Sequence, residues 1–202
     1  MIGKSPKGTT IKANYESTDK VEFQDAVGDV LVLYSRIIPE GLLLFLPSYR
    51  LMHLLVNRWK LTRHWRQLEQ HKRVFVEPQD LTQLPEVLKG YYDAIDAGEG
   101  AILLAVCRGK VSEGINFSDQ YARAVLVVGI PFPNIRDPKV VLKQAYNNRR
   151  HSKNREELSG KDWYQQQGFR ALNQALGRCI RHIHDYGAII LIGKWMKPTN
   201  LV

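Results

Sequence analysis

Val27, Val30, Leu31, Tyr34, Ile37 and Ile38 recur at the i, i+3, i+4, i+7 spacing of an amphipathic helix, and Pro39 limits its extension. Leu42 to Leu46 follows as a continuous apolar run, the pattern of a strand covered on both faces. Ser48 is placed to cap a helix whose inward set is Leu51, Met52, Leu55 and Trp59, while Arg58, Lys60, Arg63 and Arg66 occupy its other surface. Val74 to Val76 predicts a short strand. Pro85 suits the first turn of a helix carrying Val87, Leu88, Tyr91, Tyr92 and Ile95 inward, with Gly98 near its end.

Ala101 to Val106 and Ala124 to Ile130 read as buried strands separated by a glycine-rich polar loop. Asp137-Pro138 opens a further helix, and a longer one is expected from about Asp162 to Ile183, with Trp163, Leu172, Ala175, Leu176, Cys179 and Ile180 inward. Gly187 to Ile192 supplies the last strand. Strands alternating with helices predict an α/β fold, a parallel sheet flanked by helices, with ligands at the carboxyl ends of the strands. Residues 1–20 are polar and lack periodicity, so they are expected as a lead-in, with the folded domain over 21–193 and a short tail over 194–202.

The 202 residues suffice for one domain or a small pair. Twenty-nine Lys and Arg against twenty Asp and Glu leave a net charge of +9, which favours a polyanionic partner. Seven basic residues against one acidic lie in Arg50 to Arg73, and seven against two in Lys139 to Lys161; both stretches fit DNA phosphates and solvated helix faces equally well. Trp59 and Trp163 fit core packing better than base stacking. Cys107 and Cys179 are too few for a disulfide framework or a four-cysteine metal site, and the six histidines show no ligand spacing with them, so no metal site is expected. The longest apolar stretch, residues 41–47, is far too short to span a bilayer, and the first residues lack a signal peptide's apolar segment. No membrane association is expected.

Gly3-Lys4-Ser5 lacks the second glycine, preceding strand and following helix of a phosphate loop. Two other segments carry more. On the long helix expected there, Gln174, Arg178 and Arg181 would project from one face, and Gly177 would let a backbone or phosphate approach closely. Paired guanidiniums suit a triphosphate during phosphoryl transfer, though a solvated basic face has the same spacing. Arg108 to Phe117, directly after a buried strand, sets two glycines and two cations where backbone N–H groups can meet phosphates; an ordinary charged turn looks alike.

Together these segments resemble a known family. RGKVSEGINF at 108–117 resembles motif V, and QALGRCIR at 174–181 resembles motif VI, of the XPD-like iron–sulfur DNA helicases of superfamily two. FLPSY at 45–49 is similar to their motif IV, and GIPFPN, WYQQQ and DYGAIILI continue the match in order over about residues 25–192. SRIIPEGLLLFLPSY and RVFVEP resemble the branch of the regulator of telomere elongation helicase and the Fanconi anemia group J helicase.

The resemblance implies a RecA-like second motor lobe without its own phosphate loop, in which ATP lies between two lobes and single-stranded DNA crosses both. Gln174, Arg178 and Arg181 would face the triphosphate, the arginines as fingers. Glu113, Gly114, Asn116 and Gly177 would lie near the nucleotide, and Ser48, Tyr49, Arg108, Lys110 and Ser112 along the DNA. It further implies Mg2+ shared with a first lobe, a 4Fe-4S cluster bound outside this chain, a DNA fork and that first lobe as partners, and a nuclear role in DNA repair or telomere maintenance. The chain departs from the pattern at Asn116, where Asp is usual, and it holds no phosphate loop, magnesium-binding acidic motif or cluster cysteines. Half a site implies inactivity alone; a catalytically inactive DNA-binding or regulatory fragment is the alternative.

Overall fold

The computed structural model describes residues 1–14, 16–178, 180 and 182–194. Five strands form one parallel sheet in the order β2-β3-β1-β4-β5: β1 (Gly41–Leu46), β2 (Arg73–Val76), β3 (Ala101–Val106), β4 (Ala124–Val128) and β5 (Ala188–Ile192). β1 occupies the centre, and every residue of β1, β3 and β4 is buried, which accounts for their unbroken apolar sequences.

Successive side chains point to opposite faces of a strand, so the sheet divides its apolar residues between two cores. Leu42, Leu44, Leu46, Ile102, Leu104, Leu126 and their neighbours pack with residues of α1 (Val21–Ile37), α2 (Tyr49–Leu61) and α3 (Arg63–Glu69). Leu43, Phe45, Leu103, Ala105, Val125 and Val127 pack with α4 (Leu84–Asp96) and α7 (Gly160–Leu176). The five-residue α5 (Lys110–Gly114) follows β3, and α6 (Pro138–Lys153), with Val140 its one buried residue, rides on α7. Trp59 is wholly buried between α1 and α2, with Nε1 donating to Gln24 O at 2.9 Å. Gly28 permits that approach: a β-carbon there would lie 2.7 Å from Trp59 Nε1.

Three expectations need correction. Residues 1–20 are not merely a lead-in before the fold: Ile2 bridges Ile192 in parallel, Ile11 is fully buried, and Gly193 N–H donates to Ile2 O. Two isoleucines in a polar stretch are too sparse to show periodicity, yet Ile2 pairs with the carboxyl end of β5 and Ile11 enters the core. The basic helix after Ser48 breaks at Thr62, which is extended (φ −106°, ψ 179°), so Arg63 and Arg66 belong to a separate helix. The long helix begins at Gly160 and stops at Leu176 instead of running to Ile183.

At the amino end of the sheet, Ser35, Arg36, Glu40, His71, Lys72, Glu99 and Gly100 line a hollow. Lys72 is only 5% exposed and donates to Glu40 O at 2.6 Å; burial pulls its pKa down to about 8, against a smaller raising effect of Glu40. Among the described residues, no helix is long and apolar enough to cross a membrane.

Candidate nucleotide and nucleic-acid site

Parallel register brings the segments after β1, β2 and β3 out at one end of the sheet, with Leu46 opposite Val106 and Val76 opposite Leu104. After β1, the Ser48 hydroxyl accepts Leu51 N–H at 3.2 Å and starts α2, leaving Tyr49 half-buried in its first turn. After β2 comes Glu77, 1% exposed. Its Oε2 accepts Val106 N–H at 2.7 Å and its Oε1 accepts Val111 N–H at 3.3 Å; the Tyr49 hydroxyl and Lys110 N–H lie beside it and act on it more weakly. Burial raises the Glu77 carboxyl above its usual range despite those hydrogen bonds, and burial followed by the Glu77 charge pushes Tyr49 up to about 12.

After β3 the chain turns sharply. Arg108 is left-handed (φ 65°), and its Nη2 crosses to α7 to donate to Gln167 O at 2.6 Å. A β-carbon on Gly109 would lie 2.7 Å from Glu77 Oε1 and 2.9 Å from Val106 O, so only glycine fits beside the carboxylate. Lys110 is exposed, whereas Ser112 is 1% exposed and its hydroxyl donates inward to Gly109 O at 3.0 Å. Gly114 and Asn116 are exposed beyond them, and Glu113 contributes its backbone to α5.

The carboxyl end of α7 approaches the same loop. Its start is fixed by Ser159, whose hydroxyl accepts Asp162 N–H at 3.1 Å; its end is fixed by Gly177, whose N–H donates to Asn173 O at 2.9 Å. Gln174 is therefore exposed in the last turn, and Arg178 lies past the end of the helix, so these two do not share one helical face as expected. Arg178 Nη1 instead donates to Ile115 O at 2.7 Å. Arg181 and Cys179 lie outside the described residues. Loop 108–116 is thus gripped from β2 by Glu77 and from the α7 side twice, by Arg108 on Gln167 and by Arg178 on Ile115. Gln174 also lines a shallow hollow along α7 with Gln166, Phe169, Arg170 and Asn173.

A family model described as the helicase C-terminal domain matches residues 31–200. The chain belongs to the helicase C-terminal domain family. This helicase domain is 51% identical over 196 residues to the Fanconi anemia group J protein homolog of Gallus gallus, covering 95% of the chain and 16% of that protein. It is 42% identical over 202 residues to the regulator of telomere elongation helicase 1 homolog of Drosophila mojavensis, covering 100% of the chain and 20% of that protein. The apo structure of XPD superposes with a TM-score of 0.66 at 24% identity over 91% of the chain and 34% of that structure, which shows the fold. The domain thus spans a fifth or less of the length of these two curated relatives. Both the RecA-like fold and the family expected from the motif succession are borne out.

The helicase domain's own residues do not fit the metal groups its resemblance implies. Glu77 turns its oxygens to the N–H groups of Val106 and Val111, which leaves it poorly suited to Mg2+, and the chain's two cysteines cannot supply four cluster ligands. Buried Cys107 has its thiol pushed up to about 12, chiefly by burial. A cluster that sequence spacing missed lies at the amino end of the sheet: Asp119, His182 and Asp185 offer ligand atoms within 4.8 Å of one another. Arg123 Nη1 already meets Asp185 at 3.2 Å and its Nε meets Glu40 at 2.6 Å, so the cluster is better explained as a brace at the foot of β4 than as a cation site.

Proposed function

We propose that this chain is the second motor lobe of an ATP-dependent DNA helicase, acting in the nucleus in DNA repair or telomere maintenance, with a first lobe and a single-stranded DNA or fork as its partners. The observation that carries the reading is the double attachment of loop 108–116: Glu77, facing Tyr49, accepts Val106 and Val111 N–H, and Arg178 holds its far end at Ile115 O. One segment therefore lies between the residues assigned to DNA and those assigned to nucleotide. In this reading Ser48, Tyr49, Arg108, Lys110 and Ser112 follow the DNA path, Ser112 by shaping the loop from within. Glu113, Gly114, Asn116 and Gly177 face ATP, and Gln174, Arg178 and Arg181 face its phosphates.

When ATP is bound between two lobes, water attacks the γ-phosphorus, the bond to the β-phosphate oxygen breaks, and charge shifts onto the departing ADP. Arg178 contributes fixed positive charge and a planar fork there. Because the same guanidinium grips Ile115 O, a phosphate that draws it also pulls on the loop beside the DNA.

The test joins the chain to a first lobe bearing a phosphate loop and measures DNA-stimulated phosphate release. Arg178→Lys is expected to lower turnover by roughly 10³-fold, the scale of arginine fingers, with melting temperature and DNA binding retained. Arg66→Lys, on α3, is the control. Near-wild-type turnover in Arg178→Lys would refute the catalytic assignment.

A further inference from the structure

Glu77 is a buried carboxylate that accepts the N–H of Val106 at the end of β3 and of Val111 in α5, with the Lys110 N–H and the Tyr49 hydroxyl, at the start of α2, beside it. A buried carboxylate is retained at a cost unless its hydrogen bonds are needed, and these bonds go to backbone N–H groups that a displaced loop would leave unmet. The geometry around it tolerates little change. Gly109 passes so close that a methyl group would strike Oε1, and the preceding Arg108 is held left-handed. Aspartate, one methylene shorter, falls short of these donors. Glutamine would set its own NH2 donor against the N–H of Val106 or Val111.

We infer that Glu77 is a positioning residue coupling Tyr49 to the Arg108–Ser112 loop, so that one carboxylate sets both DNA-facing segments in register. The coupling rests on the DNA reading proposed above. Tyr49 and Val111 are 62 positions apart in sequence and belong to different elements, yet the carboxylate that accepts Val111 N–H also faces the Tyr49 hydroxyl. Displacement at either segment is therefore transmitted to the other without movement of the sheet.

The experiment uses the 202-residue chain, with amide hydrogen exchange read residue by residue and binding of a labelled oligo-dT at low salt. Glu77→Gln is expected to speed exchange about tenfold at Val106, Lys110 and Val111, leaving the interior amides of β1 and β4 at wild-type rates. Affinity for oligo-dT is expected to fall about tenfold, and adding Tyr49→Phe should cost little more, because both changes break one linkage. Exchange that accelerates evenly across the sheet would make Glu77 a stability residue and overturn the inference. So would unchanged affinity in Glu77→Gln where the wild type binds. If the wild type binds no DNA at any salt concentration, the DNA reading fails, and the coupling is judged on exchange alone. Tyr49→Phe keeps that judgement open even if Glu77→Gln does not fold: it should speed exchange at Lys110 and Val111, and wild-type rates at both would refute the linkage.

Discussion

Replacing Lys72 by methionine should stabilise the protein at neutral pH and lose much of that advantage in alkali. Burial pulls the Lys72 pKa from its ordinary 10.5 to about 8, so the folded state disfavours the charged amine. The contribution of a depressed group is whole above the ordinary value and is lost as the pH falls through the folded one. Raising the pH from 7 to 9.5 should therefore return about 2 kcal/mol, out of a full linkage of about 3 kcal/mol at 1.36 kcal/mol per pKa unit. Methionine preserves the unbranched stem against Gly100 and does not titrate, at the loss of the bond to Glu40 O. Urea unfolding of both proteins at several pH values gives the comparison, and subtracting the variant removes the titration of groups common to both. The gap between the curves should narrow by about 2 kcal/mol over that range. Parallel curves would show that the folded protein accommodates the Lys72 charge, refuting the burial argument.

Three further outcomes follow from the structure. Trp59→Ala should cost about 3–5 kcal/mol in urea unfolding, since it empties the space between α1 and α2; a loss below about 1 kcal/mol would mean that the helices close over it cheaply. The logarithm of the affinity for single-stranded DNA should fall linearly with the logarithm of salt concentration, as phosphate contacts require, and a flat titration would contradict a surface built on the +9 charge. The chain alone should release no phosphate from ATP above background in the presence of DNA, because its sequence holds no phosphate loop; robust turnover in pure protein would refute the half-site reading.

The central strands were legible because burial on both faces leaves little choice but continuous apolar sequence, as Leu42–Leu46 and Ala101–Val106 show. Ser48 and Asp137 were legible as helix starts because capping is local chemistry, and both side chains accept the expected N–H groups. The end of α7 was misread although Gly177 marked it: apolar residues continue at helical spacing through Ile180, but the glycine closes the helix. The arginines' relation to the loop then became a matter of tertiary contact, which spacing cannot supply. Glu77 was hidden for a similar reason. A lone acidic residue after a short strand carries no periodic signal, and its partners come from residues 49 and 106–111. The close approach of Gly109 could have pointed to a crowded turn, but not to what crowds it.

The order of the sheet bears on how the chain must be synthesised. β1 leaves the ribosome before both of its sheet neighbours, β3 and β4, which lie about 60 and 80 residues further along. At roughly 5–20 residues per second, the hexapeptide GLLLFL waits several seconds before either neighbour can pair with it. α1 and α2, which follow each other closely and pack together, can cover one of its faces during that time. The other face and both backbone edges remain open, in an uncharged apolar segment of the kind that recruits strands from other chains. Nascent-chain chaperones and slow expression temperatures should therefore matter more for the yield of this domain than its final stability does.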